Sequence, residues 1–274
     1  MEEALWPTGR RNTIYDLASA TERGEKWAML TSYDVLTAHL FEEAGVRALL
    51  VGDTCGQVIF GASDTVSVTM DQMIPIVQAV VRGTSRALVV ADLPFGSYQS
   101  GPQAALANGV RQLKEGGAQA VKLEGGRVVV PQVRALVDAG VPVMGHLGMT
   151  PQSAGMLGGV HRVQGRGEAG DRLLQDALDL EAAGAFAIVL EAVPASLAKR
   201  VSEELRVPTV GIGAGPDCDA QILVWQDMAG LTEGPAPRFV KRFGDMATDL
   251  RAAAASYAHA VATHEYPDQE HSYL

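Results

Sequence analysis

Eight short, nearly unbroken apolar runs, at residues 27–31, 48–51, 87–91, 120–123, 141–144, 186–190, 209–212 and 221–224, alternate with longer segments of helical periodicity. A strand with one face in water alternates apolar and polar residues. A run without that alternation suits a strand buried on both faces, as in a parallel sheet covered by helices. Right-handed β-α-β crossovers make such strands parallel and put the helices outside. Eight units of this kind close into a (β/α)8 TIM barrel, an α/β fold of about 250 residues, and the chain has 274. A doubly wound open sheet is the alternative that strand counting leaves open.

The segments between the runs carry helix signals. Thr69 and Gln72 make a capping-box pattern ahead of Met73, Val77 and Val80, and Pro75 is expected to kink that helix or shift its start. Leu106, Val110 and Leu113 form a stripe ending at Gly116 and Gly117. Leu173, Leu174, Ala177 and Leu178 run to Gly184, and Leu197, Val201 and Leu205 stop before Pro208. Glycine just past a helix end supplies the left-handed cap. Residues 13–21 predict a helix ahead of the barrel, and the alanine-rich residues 245–263 predict a helical extension packed on its outside. No Gly/Ser/Pro-rich linker interrupts the chain. We therefore expect one domain over residues 1–274, with an N-terminal extension to residue 25, a barrel core over 26–230 and a C-terminal helix and tail over 231–274.

Composition excludes several function classes. The 22 Lys+Arg against 32 Asp+Glu give a net charge of -10, a poor basis for sequence-independent nucleic-acid binding, which neutralises phosphates with cations. A hydrophobic content of 47% excludes a disordered chain. Two cysteines, Cys55 and Cys218, are too few for a disulfide scaffold or a four-cysteine zinc site and fit a reduced protein. Glu2, Glu3, Arg10 and Arg11 interrupt the first residues, which lack the apolar centre of a signal peptide. No run approaches the roughly 18 apolar residues of a membrane span. The expectation is a cytoplasmic protein with no nucleic-acid or membrane partner.

The runs end in polar residues. Tyr33-Asp34, Asp53-Thr54, Asp92, Lys122-Leu123-Glu124, Gly145-His146 and Glu191 follow or close the first six. In a barrel these ends meet at one mouth, where active sites are built. Asp53, Asp92 and Glu124 would repel one another there, a cost that a divalent cation removes. All-oxygen ligation suits Mg²⁺ or Mn²⁺ better than zinc. One such aspartate is as often a helix cap or a solvated loop residue, but three in succession beside Lys122 favour the metal. Lys122 and Glu124 share a strand face, where an ammonium needs an anion: the carboxylates, a bound carboxylate substrate, or a purely structural ion pair. His146 reads equally as a base, a substrate contact or a core histidine. Cys55 has no base at fixed spacing and reads as a buried small hydrophobe. Gly211-Ile212-Gly213-Ala214-Gly215 reads as a close-packed turn in preference to a phosphate loop. These features alone indicate a metal-dependent enzyme acting on a small anionic, oxygenated substrate.

Taken in order, Thr31-Ser32-Tyr33-Asp34, Val51-Gly52-Asp53-Thr54, Ala91-Asp92-Leu93-Pro94-Phe95 and Val121-Lys122-Leu123-Glu124-Gly125-Gly126 form a recognisable series. It continues with Gly145-His146-Leu147-Gly148-Met149-Thr150-Pro151-Gln152-Ser153, Val163-Gln164-Gly165-Arg166, Leu190-Glu191-Ala192-Val193-Pro194 and Glu270-His271-Ser272. Together these segments resemble the ketopantoate hydroxymethyltransferase (3-methyl-2-oxobutanoate hydroxymethyltransferase) family from about residue 13 onward. The resemblance implies a TIM barrel and a homodecamer. It also implies transfer of a one-carbon unit from 5,10-methylenetetrahydrofolate to 3-methyl-2-oxobutanoate in pantothenate biosynthesis. Carried over by motif, Asp53 and Asp92 would hold Mg²⁺ (or Mn²⁺ or Co²⁺), with Glu124 as a further ligand or close by. Asp53, Thr54, Asp92 and Lys122 would contact the keto acid, with His146 beside them, and Glu191 would be the catalytic base. Thr54 stands where the family usually has serine, Ala192 replaces a frequent cysteine, and the loop at Val160-His161-Arg162 reads one residue longer.

The implied chemistry needs a carbanion equivalent beside a ketone, which Mg²⁺ would stabilise as an enolate by Lewis-acid action. A C–C lyase or mutase of the phosphoenolpyruvate mutase/isocitrate lyase type would share barrel, metal and enolate chemistry. Its Lys-Lys-Cys-Gly-His segment is absent from this sequence. A non-catalytic binding barrel should have lost a metal or base residue, and every expected position here remains chemically competent.

Overall fold

The computed structural model describes Trp6, residues 9–159 and residues 162–273; Val160 and His161, in the loop read as lengthened, lie outside them. Eight parallel strands close into a barrel in sequence order: β1 (Trp27–Thr31), β2 (Ala48–Val51), β3 (Leu88–Asp92), β4 (Ala120–Glu124), β5 (Val143–Gly148), β6 (Ala187–Glu191), β7 (Thr209–Ile212) and β8 (Ala220–Leu223). β8 pairs with β1, with Trp27 opposite Ala220, which closes the ring and excludes the open sheet. Seven strands lie within one residue of their apolar runs. β5 differs: it begins after Pro142 and runs on through Gly145, His146 and Gly148, because its mouth end carries polar and small residues that an apolar count does not register.

Strand alternation divides the core in two. Met29, Leu50, Val90, Met144, Val189 and Val210 belong to a buried cluster that fills the barrel. Leu93, Val121, Leu123, Ile188 and Leu190 point the other way and pack with helix residues such as Leu136, Leu180 and Val201. Asp92, Lys122, Glu124, His146 and Glu191 share the parity of the interior set, which places them on the inner face above the barrel core.

Helices α1 (Ile14–Glu22), α2 (Val35–Glu43), α3 (Met70–Arg82), α4 (Pro102–Arg111), α5 (Val130–Asp138), α6 (Glu168–Ala182) and α7 (Ala195–Glu204) accompany the strands. The Thr69–Gln72 capping box of α3 forms, and at the start of α1 the backbone N–H and hydroxyl of Thr13 donate to Asp16 Oδ2. Pro75 does not shift the start of α3, which runs unbroken from Met70; the proline costs the helix one intrahelical donor. Along α4 and the helical turn after it, Ala105, Gly109, Gln112 and Gly116 are buried. The stripe read as apolar flanks that face, and Val110 is 37% exposed. The buried Glu42 of α2 ties down the turn before β3 by accepting the backbone N–H groups of Ser85, Arg86 and Ala87.

The chain divides into two compact units, Met1–Leu223 and Val224–Leu274. The second contains a helical turn, Trp225–Met228, and α8 (Met246–Ala262), which follows Asp245 and ends at Thr263. Among the described residues no helix is long and apolar enough to cross a membrane.

Candidate active site

Five consecutive strands deliver the expected side chains to one cluster at the C-terminal end of the barrel. Strand pairing sets Asp92 opposite Lys122, Glu124 opposite His146, and Gly148 opposite Glu191. Asp53, two residues beyond β2, donates its backbone N–H to Asp92 Oδ2 at 3.0 Å. Lys122 Nζ lies 2.8 Å from Asp92 Oδ1 and 3.8 Å from Glu124 Oε1. His146 Nδ1 lies 3.3 Å from Glu124 Oε1, and its Nε2 lies 3.3 Å from Glu191 Oε2. All of the charged side chains here are buried except Glu191, which keeps 15% exposure at the mouth.

Gly148 permits the approach of β5 to β6. Its φ of +96° is left-handed, and a Cβ there would collide with the Glu191 carbonyl oxygen, which accepts the Met149 N–H at 2.9 Å. Thr54 begins the helical turn Cys55–Val58 beside Asp53, with its hydroxyl outside any hydrogen bond to the described residues. Cys55 is fully buried, as expected of a small hydrophobe. A Cβ on Gly215, with φ +84°, would press on Ala195; this is the close-packed turn expected after β7.

Two residues that sequence reasoning gave no role complete the cluster. Gln152, in the short helical turn Pro151–Ser153, donates its side-chain amide to Asp53 Oδ2 at 2.8 Å and to Leu93 O at 3.0 Å. Its backbone N–H donates to Glu124 Oε2 at 3.0 Å. Tyr98, from the loop after β3, donates its hydroxyl to Gln152 Oε1 at 2.6 Å.

The charges in this dry cluster shift one another. Burial, then repulsion from Asp92 and Glu124, pushes the Asp53 carboxyl up to about 8. Burial raises Asp92 as well, against the pull of Lys122. Burial alone would also raise Glu124, but His146 and Lys122 outweigh it and hold that carboxyl low. For His146, burial and Lys122 favour the neutral ring. Glu124 and Glu191 on its two sides overcome both and raise it to about 9, which favours the protonated ring.

The donor set fits a hard divalent cation in a specific way. Asp53 Oδ2 and Asp92 Oδ2 are each engaged by a protein N–H. Asp92 Oδ1 is buried beside Lys122 and meets no hydrogen-bond donor in good alignment. Among the described residues none donates to Asp53 Oδ1. Asp53 thus keeps one hard oxygen for a ligand, Asp92 has one that faces only the Lys122 ammonium, and a cation would offset the burial that raises both and the repulsion that raises Asp53 further. Among the described residues no three His, Cys, Asp or Glu side chains form a preassembled metal cage; Glu124, expected with the aspartates, is instead engaged by Gln152, His146 and Lys122.

Fold and cluster define a (β/α)8-barrel enzyme whose mouth pairs buried carboxylates with a lysine and a histidine. Residues 11–269 match the family model for ketopantoate hydroxymethyltransferase, and the chain belongs to this family of transferases. It is 62% identical over 271 residues to the 3-methyl-2-oxobutanoate hydroxymethyltransferase of Frankia alni, covering 99% of this chain and 89% of the relative. The enzyme of that name from Thermobifida fusca is 60% identical over 265 residues, covering 96% and 94%. In three dimensions the chain also superposes on a phosphoenolpyruvate phosphomutase from Streptomyces platensis subsp. rosaceus. There the TM-score is 0.59 at 15% identity, covering 90% of this chain and 88% of the other, a likeness of fold alone.

Proposed function

We propose that this protein transfers a hydroxymethyl group from 5,10-methylenetetrahydrofolate to 3-methyl-2-oxobutanoate. The products are 2-dehydropantoate and tetrahydrofolate, in pantothenate biosynthesis. The observation that carries the reading is the unbroken chain of contacts from Asp53 through Asp92, Lys122, Glu124 and His146 to Glu191, in a member of this transferase family. Asp53 and Asp92 would hold Mg²⁺, with Glu124 close by. When bound, the cation supplies Lewis-acid stabilisation of the charge that develops on the keto acid.

The protein's own groups do the rest. Lys122 neutralises the substrate carboxylate, which lets a chain of net charge -10 hold an anion. The Thr54 hydroxyl is free to hydrogen-bond the same substrate. Water cleaves the C–N bonds of the folate methylene, which releases tetrahydrofolate and leaves that carbon as formaldehyde. Glu191, the one partly exposed member of the cluster, removes the C3 proton, and C3 adds to the formaldehyde carbon as its oxygen takes up a proton to become the product hydroxyl. His146 holds Glu191 from behind through the 3.3 Å contact. Free, buried Cys55 and Cys218 fit a reducing compartment such as the cytoplasm. For self-association into a homo-oligomer, the support is α8, which leaves Met246, Leu250, Tyr257 and Val261 exposed on one helical face.

The test is direct. Purified protein, given both substrates and Mg²⁺, should form 2-dehydropantoate and tetrahydrofolate in equal amounts, measured by mass spectrometry. Cleavage of a C–C bond, or no turnover with an intact fold and bound metal, would overturn the reading.

A further inference from the structure

Gln152 is the most connected neutral side chain of the cluster. Its amide nitrogen has two acceptors, Asp53 Oδ2 and Leu93 O, and its amide oxygen has two donors, the Tyr98 hydroxyl at 2.6 Å and Gln99 Nε2 at 3.2 Å. Every hydrogen-bonding position of the carboxamide is filled. The opposite flip would set its oxygen against the Asp53 carboxylate and the Leu93 carbonyl, and its NH₂ against the Gln99 NH₂. The Tyr98 hydroxyl has one proton. The Gln152 oxygen, at 2.6 Å, takes it in preference to the Glu124 carbonyl at 3.2 Å, and the hydroxyl oxygen accepts the Glu124 N–H at 3.2 Å. Tyr98 is 1% exposed.

We propose that Tyr98 is a positioning residue. Acting through the Gln152 carboxamide, it commits Asp53 Oδ2 to the protein and leaves Oδ1 as the oxygen offered to the cation. Gln152 stands on the loop after β5 yet bonds groups at the ends of β2, β3 and β4. Tyr98 is the buried and shorter of the two donors that hold its amide oxygen. The inference rests on the reading that Asp53 holds a divalent cation. Outer-shell partners of this kind typically contribute about 10–100-fold to metal affinity or activity.

The experiment is calorimetric titration with MgCl₂ alone, on wild type, Tyr98→Phe, Gln152→Met, the double variant and Asp53→Asn, with a thermal melt of each. Tyr98→Phe keeps the ring and removes only the hydroxyl. It should weaken Mg²⁺ binding about tenfold or more, and Gln152→Met should do the same. In the Gln152→Met background, adding Tyr98→Phe should cost no further affinity, since the two act as a unit. A lowered melting temperature with wild-type Mg²⁺ affinity in Tyr98→Phe would make Tyr98 merely structural and overturn the proposal. Additive losses in the double variant would also overturn it, because Tyr98 would then not act through Gln152. If Asp53→Asn itself binds Mg²⁺ normally, the cation reading falls and the proposal falls with it. If Asp53→Asn loses binding while Tyr98→Phe keeps it, only the positioning role falls.

Discussion

His146 Nε2 lies 3.3 Å from Glu191 Oε2, and the opposite ring nitrogen lies 3.3 Å from Glu124 Oε1. The ring therefore bridges the proposed base and the buried carboxylate layer, and the two carboxylates favour its charged form. Glu191→Gln keeps the size and removes the basicity. A positioned base contributes about 10² to 10⁴ in rate. The variant should retain keto-acid affinity yet slow C3 proton exchange into D₂O, followed by NMR without folate, by that factor. Exchange at the wild-type rate would remove Glu191 as the base.

Lys122 is 4% exposed and faces carboxylates on two strands. Lys122→Met preserves the length of the side chain and removes its charge. A hydrogen bond to a charged group contributes about 1.5–3 kcal/mol, so the keto-acid dissociation constant should rise roughly 10- to 100-fold by calorimetry. Equal affinities in variant and wild type would make Lys122 a structural counter-ion only.

Asp53 keeps Oδ1 clear of donors among the described residues, Asp92 Oδ1 faces only the Lys122 ammonium at 2.8 Å, and burial makes both charges costly. Asp53→Asn and Asp92→Asn should therefore leave the melting temperature unchanged or higher while abolishing turnover and weakening Mg²⁺ binding. Unchanged Mg²⁺ affinity in both variants would remove the aspartates as ligands.

The barrel is legible in the sequence because strands buried on both faces are written as continuous apolar runs, and the charged cluster because those runs end in ionisable residues. The features that escape have weaker signatures. Gln152 and Tyr98 are neutral residues in loops after β5 and β3, and nothing in their local sequence shows that they meet across the mouth. The buried face of α4 is made of Ala105 and Gly109: close helix packing selects small residues, whereas an apolar stripe search selects large ones. Glu42 reads as an ordinary surface glutamate of an amphipathic helix, since its three amide partners lie more than forty residues away.

That glutamate makes a pH-dependent prediction. Burial alone would raise the Glu42 carboxyl, but the amides of Ala87, Ser85 and Arg86 outweigh it and hold it below its ordinary value. In the unfolded chain it titrates near the usual glutamate value of about 4.3. A carboxylate whose folded pKa is depressed adds stability that is complete above its unfolded pKa and disappears as pH falls through the folded one. Glu42→Gln should therefore lower stability by about 1.5–3 kcal/mol at pH 7, because an amide NH₂ then faces backbone donors. The gap to wild type should stay constant down to about pH 5 and shrink below about pH 4, as the wild-type carboxyl takes up its proton. Urea unfolding of both proteins from pH 7 to 3.5 measures this directly. A gap that stays the same across that range would mean that packing, and not the charge, holds α2 to the turn before β3.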